Sequence, residues 1–534
     1  MRKSILFKLI ICSLLFCLTE NFAQEIKTTE IHFQKDEFWW GGVVANGSQM
    51  PYITPLKEYN LALQNSNNQV VPLFLSNKGR FVWSDKPFKF EVADHKVIIK
   101  SNFETLKIQS SGTTLKSAYL AASSKYFPPT GTLPDPLFFT MPQYNTWIEL
   151  MYNQNQKDIL KYAHSIIDNV FPPGVLMIDD NWQRYYGNFD FRAEKFQNPK
   201  EMVDELHQLG FKVMLWISPF VSADSQEYRE LESLKYLIKE KGKNTPAMIS
   251  WWNGKSACYD LTNPKAKEHF VTQLRKLQTD FGIDGFKFDA GDNGFYDENK
   301  IDSYQKDAIS VDHTKAWSEI GLLFPFNEYR AGWKLGGQPL VQRLGDKSYS
   351  WKAVQMLIPD MISAGLLGYA YTCPDMIGGG SFSAFLNIKD DEFDQKLIIR
   401  SAQVHALMPM MQFSVAPWRI LNKENLKITQ ETAILHEKFG PYILKTAKES
   451  SQSGEPIVRH MEYEFPNQGF ENIKDQFMLG SQFLVAPVIT SEDKRTVKLP
   501  KGKWKDDLGK IHKGGKIIEI NVPLSRLPYF ELIQ

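Results

Sequence analysis

Cysteine is scarce in this chain, and its few cysteines are poorly placed for cross-linking. Of the four cysteines in 534 residues, Cys12 and Cys17 lie near the N-terminus, which leaves Cys258 and Cys373 for the body of the chain. Two cysteines permit one bridge and exclude a disulfide framework. No cluster of cysteines and histidines has metal-ligand spacing, so the sequence predicts no metal and no cofactor.

The chain also has no excess of positive or of negative charge. The chain has 62 Lys and Arg residues against 61 Asp and Glu residues. This balance gives no electrostatic basis for a nucleic-acid partner or for attachment to a membrane surface. A chain of 534 residues exceeds one ordinary domain, so we expect a large central unit with smaller companions.

Long hydrophobic runs are missing except for one near the N-terminus. Arg2 and Lys3 precede an apolar stretch at residues 9–18, and Ala23 is a suitable cleavage position. The stretch is too short to span a bilayer stably. The pattern is typical of a secretory signal peptide over residues 1–23, so we expect export to a periplasm or to the outside of the cell.

Short strand-like runs dominate residues 24–136. They occur at 70–75, 88–92 and 95–99, and turn-forming residues separate them. We interpret this region as an N-terminal antiparallel β-sandwich. A stretch rich in proline and glycine, at residues 127–136, connects it to the next unit.

From residue 137 onward, predicted strands alternate with predicted helices. Two of the helices carry clear start and stop signals, because Asn198 and Asn263 each precede a proline and a glycine closes each apolar pattern. Eight strand–helix units predict a (β/α)8 TIM barrel over residues 137–429. The predicted barrel strands lie at 147–150, 175–178, 213–217, 286–288, 322–326, 340–344, 366–370 and 408–413.

Two further features complete the predicted organisation. The interval at about residues 220–262, between the third and fourth strands, is too long for an ordinary loop and predicts an inserted subdomain. Strand-like runs return after residue 430 and predict one or two C-terminal β-sandwich domains over residues 430–534.

Charged residues follow several of the predicted barrel strands. The carboxyl ends of barrel strands are where enzymes of this fold hold their chemistry. Hydrolysis of a glycosidic bond needs two carboxyl groups on opposite sides of a sugar ring, and Asp289 and Asp346 are placed to face each other across the barrel mouth. The charged residues at these strand ends are Asp179, Asp180, Lys287, Asp289, Asp292, Glu328, Arg330, Asp346 and Asp375.

Several motifs resemble glycoside hydrolase family 31. The segment Asp284-Gly285-Phe286-Lys287-Phe288-Asp289 is similar to the family's strand-four motif, which implies that Asp289 is the nucleophile. Gln342 and Arg343 precede Asp346 as a Gln-Arg pair precedes the family's acid/base, which implies that role for Asp346. Arg330 resembles the family's substrate-binding arginine, and Asp375 resembles its strand-seven aspartate.

Within the family, the chain is most similar to a branch that includes bacterial α-galactosidases and the animal myogenesis-regulating glycosidase. Family α-glucosidases usually end strand eight with Arg-Asn-His, whereas this chain has Gln412, Phe413 and Ser414. Lys287 is a second departure from the glucosidase pattern. The resemblance implies a retaining exo-α-glycosidase, specifically an α-galactosidase, acting on an oligosaccharide or galactoside. The other residues expected to bind substrate are Asp179, Asp180, Trp216, Lys287, Asp292, Arg330, Arg343, Trp351, Asp375, Ser414, Trp39 and Trp40.

The mechanism sets requirements for the two carboxyl groups. Asp289 has to stay ionised, so we expect Lys287 or Arg330 beside it, whereas Asp346 has to begin protonated, so we expect drier and less cationic surroundings. A retaining mechanism places the two groups roughly 5–5.5 Å apart.

Several alternatives stay open at this point. An α-glucosidase or α-xylosidase would use the same chemistry, and a carbohydrate-binding protein without turnover is a candidate from another class. Lys287 has an alternative structural role as the ion-pair partner of Asp292. Asp179 and Asp180 are adjacent on a strand, so only one of them is expected to meet substrate. Trp39 and Trp40 either close the sugar pocket or pack the sandwich against the barrel.

Overall fold

The computed structural model describes residues 26–63 and 68–533. The predicted signal peptide therefore lies outside the described residues. Of the helices in the described part of the chain, none combines the length and the apolar character that a membrane crossing needs.

Two facing antiparallel sheets form the N-terminal domain, as predicted. Phe74 of one sheet packs edge-on against Phe90 of the other, with ring centroids 5.0 Å apart. In spatial order, the first sheet consists of Lys27–His32, Lys96–Ser101, Lys89–Ala93 and Leu56–Asn60. The second sheet contains Trp39–Val43, Gln69–Ser76, Arg80–Trp83 and Gln109–Ser110, and the helix Leu115–Tyr126 follows it.

Eight parallel strands form the central barrel and confirm the predicted fold class. Neighbouring strands pair in order from β1 to β7, β8 pairs with β1, and a bridge between Met376 and Gln412 joins the β7 end to β8. The strands are β1 Gln143–Asn145, β2 Val175–Ile178, β3 Lys212–Ile217, β4 Gly285–Phe288, β5 Phe326–Tyr329, β6 Gln342–Arg343, β7 Thr372–Cys373 and β8 Gln412–Phe413.

Helices follow seven of these strands. In Pro264–Phe281, the Asn263 side chain caps the first turn by accepting from the Lys265 amide, and Gly282 ends the helix at a φ of +80°. The other helices are Gln156–Asp168, Pro199–Gln208, Ser310–Gly321, Trp351–Leu366, Gln395–Ala406 and Lys423–Ser453, with short turns of helix at Leu137–Thr140, Trp147–Leu150, Pro417–Ile420 and Met461–Glu464.

The connection from β5 to β6 contains no helix in the stretch 330–341, all of which the structure describes, so the prediction of eight strand–helix units was wrong there. The chain instead forms the strand Gly332–Trp333, which pairs with Gln69 and Val70 of the N-terminal domain. The barrel and the sandwich therefore share a sheet.

Four predicted barrel strands also differ from the observed ones. Residues 147–150 form a helical turn, and the first strand is the polar segment Gln143–Asn145 before it. Residues 366–370 are the end of the helix Trp351–Leu366 and a turn at Gly368, whose φ is +90°. The segments predicted at 322–326 and 408–413 are mostly turn and loop that leads into β5 and β8. Leu322 and Leu323 are exposed, whereas residues 408–413 are buried.

The predicted insertion is a small subdomain at the carboxyl end of β3. Phe220–Val221, Gly254–Cys258 and Ile249–Trp251 form a three-stranded antiparallel sheet, beside the helix Gln226–Leu234. Lys239–Glu240 pairs with Ile301–Asp302, which belongs to the long loop after β4. We call the pair of strands Ile249–Trp251 and Gly254–Cys258, with their turn at Trp252 and Asn253, the inserted hairpin.

The C-terminal β-domain begins after the 31-residue helix Lys423–Ser453, which runs across the boundary predicted at 429/430. A six-stranded sheet contains Val458–Arg459, Phe477–Leu479, Phe483–Val485, Tyr529–Leu532, Lys503–Asp506 and Ile511–Lys513. A separate two-stranded sheet consists of Lys494–Leu499 and Lys516–Asn521.

Candidate active site

Alternation along β4 separates the outer face of the barrel from its interior. Phe286 and Phe288 face outward and pack on Phe324, at centroid distances of 5.1 and 6.2 Å. Lys287, between them, faces the interior and contacts Asp179 at the end of β2. Asp289 follows at the tip of the strand, at the face where the carboxyl ends of all eight strands meet.

Asp289 lies among hydrogen-bond donors and cations. Its Oδ2 accepts from the indole Nε1 of Trp216 at 2.8 Å, and its side chain is 12% exposed. Burial alone would raise the pKa of Asp289, but Arg330, Lys287 and Arg343 together outweigh burial and hold that pKa below its usual range. Asp289 is therefore ionised at neutral pH, as a nucleophile has to be.

Two guanidinium groups connect Asp289 to Asp346. Arg330 lies 3.8 Å from Asp289 and 3.9 Å from Asp346. Arg343 lies 4.0 Å from Asp289, and its Nη1 donates to Oδ1 of Asp346 at 2.5 Å. The structure thus brings together the two carboxylates that the sequence pairs. We call Asp289, Arg330, Arg343, Asp346 and Asp375 the strand-tip layer.

The surroundings of Asp346 differ from the prediction. The Asp346 side chain is 35% exposed against 12% for Asp289, so Asp346 is the wetter of the two carboxyl groups. The Asp346 carboxylate also contacts the guanidinium group of Arg343, which is the last residue of β6 and lies three residues earlier in the chain. The expectation of a drier site was therefore wrong, and the contact with Arg343 contradicts the expectation of less cationic surroundings.

Lys287 pairs with Asp179, at 2.5 Å, rather than with Asp292 as the structural alternative had it. Both side chains are almost completely buried. Burial alone would lower the pKa of Lys287, but the carboxylates of Asp179, Asp289 and Glu328 together raise that pKa above its usual value. Asp292 accepts instead from Nε of Arg330 at 3.0 Å, and burial raises the pKa of Asp292 despite that contact.

Asp375 is held in a strained backbone conformation at the end of β7, with a φ of +79°. Its Oδ2 accepts from the backbone amides of Lys347 and Gly380, at 2.7 and 3.0 Å, and its Oδ1 accepts from Arg343 at 3.3 Å. Burial and the neighbouring Asp346 raise the pKa of Asp375 to about 6. A side chain at Gly380 would place its Cβ 2.6 Å from Asp375, so glycine is required there.

Asp179 and Asp180 diverge, as adjacent strand residues should. Whereas Asp179 faces Lys287, Oδ2 of Asp180 accepts from Asn253 at 2.8 Å and from the Tyr186 hydroxyl at 3.2 Å. Oδ1 of Asp180 is buried without a hydrogen-bond partner among the described residues. Burial, and next the Asp179 charge, raise the pKa of Asp180 to about 7.

Four residues that were predicted to bind substrate make contacts with residues outside the strand-tip layer. The Ser414 hydroxyl is fully buried and accepts from the backbone amide of Ile148 at 2.7 Å. The Trp351 indole donates to Asp394 at 3.0 Å. Trp39 and Trp40 are both buried, Trp39 beneath the guanidinium of Arg80 within the sandwich and Trp40 edge-on to His460 of the C-terminal domain.

Three further contributors were not among the residues expected to bind substrate. Glu328 of β5 is completely buried, lies 3.5 Å from Arg343 and accepts from Gln412 at 2.9 Å. Its position at a strand end was visible in the sequence. Asn253 and Trp252 come from the inserted hairpin, and the Trp252 ring packs on the guanidinium of Arg330 at 4.8 Å. No local pattern could place that hairpin over the barrel mouth.

The described residues contain no metal-binding cluster and no disulfide bond. Over residues 26–63 and 68–533, no group of three or more His, Cys, Asp or Glu side chains is arranged to hold a metal ion. Cys258 and Cys373 are both buried and unpaired.

A parallel (β/α)8 barrel with two carboxylates held by shared arginines at its mouth defines the class of glycoside-hydrolase barrels. The chain belongs to glycosyl hydrolase family 31. The family's TIM-barrel model matches residues 139–445, and its C-terminal-domain model matches residues 454–531.

Relatives and solved structures agree with that assignment. The mouse myogenesis-regulating glycosidase is 30% identical over 430 residues, which cover 78% of this chain and 60% of that protein. Alpha-glucosidase 2 of Bacillus thermoamyloliquefaciens is 26% identical over 71% of this chain and 50% of its own. The chain thus spans about half of the length of such relatives. A Flavobacterium johnsoniae family-31 dextranase complexed with glucose superposes with a TM-score of 0.83 at 20% identity, covering 95% of this chain and 66% of that one.

Proposed function

We propose that this protein is a retaining exo-α-glycosidase that releases terminal α-linked galactose. The observation that carries the proposal is the joint contact of Arg330 and Arg343 with both Asp289 and Asp346. These contacts hold two carboxylates on either side of paired cations at the barrel mouth. The lowered pKa of Asp289 and its hydrogen bond from Trp216 suit the nucleophile.

In the proposed reaction, the Asp289 carboxylate attacks the anomeric carbon while Asp346 gives its proton to the departing glycosidic oxygen. The bond from the sugar to the aglycone breaks and a glycosyl ester forms on Asp289. Asp346 then takes a proton from water, whose oxygen displaces Asp289 and restores the α configuration. Arg343 donates to Asp346, and this contact has to loosen before Asp346 carries the proton that it gives to the leaving oxygen.

The proposal of an exo mode is supported by the inserted hairpin. Asn253 bonds Asp180 and Tyr186 at 2.8 Å each, and Tyr152 donates to Asn253 at 3.0 Å. These bonds anchor the hairpin turn against the end of β2. A sugar site closed on one side accepts a chain end rather than the middle of a polymer.

The proposal of galactose is supported by the composition of the site. The end of β8 offers no free polar group, because Gln412 is bonded to Glu328 and Ser414 to Ile148. Groups that could bond ring hydroxyls include the buried Asp179 and Lys287, and Asp180 with the half-buried Asn253. Glucose and galactose differ only at the 4-hydroxyl, and a site built from buried hydrogen-bonding groups rejects the wrong epimer strongly.

The deciding experiment compares kcat/KM for the p-nitrophenyl α-galactoside, α-glucoside and α-xyloside. We expect the galactoside to be preferred by at least about a hundredfold. Equal rates on the glucoside would overturn the choice of sugar and leave the glycosidase. Proton NMR of the first product should show the α anomer, and a β anomer would contradict retention.

The names of two related proteins favour α-glucosidase or α-xylosidase activity as a second candidate function. The Bacillus relative is an alpha-glucosidase, and an alpha-xylosidase from Lactiplantibacillus pentosus is 23% identical over 83% of this chain and 59% of its own length. The same three substrates test that candidate directly. Absence of turnover on all three, with sugar binding retained, would favour a carbohydrate-binding protein.

A further inference from the structure

A cleft of about 660 Å³ opens between the inserted hairpin and the loop that follows β4. Ser250 and Lys255 line it from the hairpin, and Gly294 and Phe295 line it from the loop. Because these two segments leave the carboxyl ends of β3 and β4, the cleft lies on the same face of the barrel as the strand-tip layer. Its volume is in the range of ligand sites, about 300–1,000 Å³.

The inserted hairpin connects this cleft to the sugar site. Ser250 pairs with Lys255 across the hairpin, and the turn at Trp252 and Asn253 extends to Arg330 and Asp180. Trp252 is 44% exposed and packs near Phe295, with ring centroids 6.2 Å apart. Phe295 lines the cleft, so two neighbouring aromatic rings connect the cleft to Arg330 of the strand-tip layer.

Positive charge is concentrated in the cleft although the whole chain is nearly neutral. Lys241, Lys243 and Lys300 form ion pairs with Asp302, Glu240 and Asp297, whereas Lys255 forms no ion pair with any described residue. The lysines that line the cleft are Lys241, Lys243, Lys255 and Lys300, against the carboxylates Glu240 and Asp297.

A second cleft of about 620 Å³ continues this charge. It lies on the other side of the two-stranded ribbon formed by Lys239–Glu240 and Ile301–Asp302, and it shares Lys243 with the first. It adds the lysines Lys235, Lys239, Lys265 and Lys306, against the carboxylates Asp260 and Asp302. Such a local excess is a binding surface for a chain that carries several negative charges.

We propose that the first cleft binds the anionic aglycone of the substrate, a glycan that bears sulfate or uronate groups behind its terminal α-linked sugar. The inference rests on the proposed glycosidase function, which it deepens by naming the class of leaving group. Lysine ammonium groups bind sulfate and carboxylate as compact charges, and the exposed Trp252 offers a flat face for the first aglycone ring. The second cleft accommodates a longer chain.

The test compares two α-glycosides of the preferred sugar, one with glucuronate and one with glucose as the leaving unit. We expect a higher kcat/KM for the glucuronate, and we expect that advantage to vanish at high salt. Lys243→Ala and Lys255→Ala should each lower kcat/KM for the glucuronate by about threefold at low salt, while leaving the neutral substrate unchanged. The matched control is Lys516→Ala, at an exposed lysine in the C-terminal domain, which should change neither.

Equal kcat/KM for the two leaving units, or equal losses on both in the Lys243/Lys255 double variant, would overturn the proposal. Calorimetry with a sulfated galactan oligosaccharide and its desulfated counterpart gives a readout that needs no turnover. Charge-selective binding that the double variant loses supports the cleft even when no glycoside is hydrolysed, and that combination would contradict only the proposed reaction. Stronger binding of an RNA oligonucleotide than of the sulfated glycan would overturn the anionic-glycan assignment.

Discussion

The strand-tip layer and the inserted hairpin approach the substrate site with opposite kinds of structure. In the strand-tip layer, Asp289 and Arg343 are buried on or directly after short strands and are fixed by several charged contacts. The inserted hairpin presents a two-residue turn to the site, and the Trp252 side chain in that turn is 44% exposed. Its anchors are the stacking of Trp252 on Arg330 and the hydrogen bond from Asn253 to Asp180.

This difference separates two tasks. A reacting group has to be held within a fraction of an ångström, and only the barrel offers that rigidity. Recognition of the leaving group tolerates movement and changes between related proteins, which suits an insertion. Replacements in the strand-tip layer should therefore affect the chemical step, whereas replacements in the hairpin should affect the choice of substrate.

The largest expected effect is at Asp289. Asp289→Asn keeps the shape and can still accept from Trp216, but it removes the attacking charge. We expect kcat on the preferred aryl glycoside to fall by at least about a thousandfold with an unchanged thermal unfolding midpoint. Retention of more than a few per cent of kcat would show that another group is the nucleophile.

A smaller and selective effect is expected at Asp346. Asp346→Ala removes the proton donor, so glycosides with poor leaving groups should lose about 10²- to 10⁴-fold in kcat/KM. Activated aryl glycosides need no proton and should lose much less. Brønsted plots of rate against leaving-group pKa provide the measurement, and equal losses across the series would assign the acid to a different residue.

The smallest effect concerns Asp180, where the barrel and the hairpin meet. In the folded protein, burial raises the pKa of Asp180 from 3.8 to about 7. The neutral carboxyl group therefore contributes to the free energy of unfolding fully below pH 3.8, and this contribution is lost as the pH rises toward 7. Asp180→Asn cannot ionise, and its advantage in unfolding free energy over the wild type should grow by on the order of 1–4 kcal/mol between pH 4 and pH 8.

Thermal unfolding of both proteins across this pH range makes the measurement. Asp224→Asn, at an exposed position of the same insertion, serves as the control and should follow the wild type. A difference between Asp180→Asn and the wild type that stays constant with pH would show that Asp180 is ionised throughout.

The sequence predicted best those elements that carry their own punctuation. Asn263, Pro264 and Gly282 bound a helix whose ends agree with the structure, and the apolar β2 lies where it was expected. The first barrel strand could not be found in this way, because Gln143 and Asn145 are buried polar residues that bond to other strands rather than to an apolar core. Such a strand has no hydrophobic period to detect.

The residues of the candidate site also differ in how well the sequence predicted them. Asp289, Arg343 and Asp346 were found because their motif spacing along the chain is short. Trp39 and Trp40 were assigned either to the pocket or to domain packing, yet both are buried, Trp39 against Arg80 of its own sandwich and Trp40 against the C-terminal domain. Only long-range contacts decide between such roles. Asn253 joins the site through a contact 73 residues away in sequence, which no local pattern records.

Gln69 of the N-terminal sandwich has a consequence for how this protein could be divided. Its side-chain amide donates to the backbone carbonyls of Arg330 and Arg343, at 2.5 and 2.7 Å, so a residue of the sandwich holds the main chain of both arginines. The sandwich thus helps to position the candidate active site. A barrel excised at residue 137 would expose those carbonyls and release the arginines, and recombination between family members has to exchange the two units together.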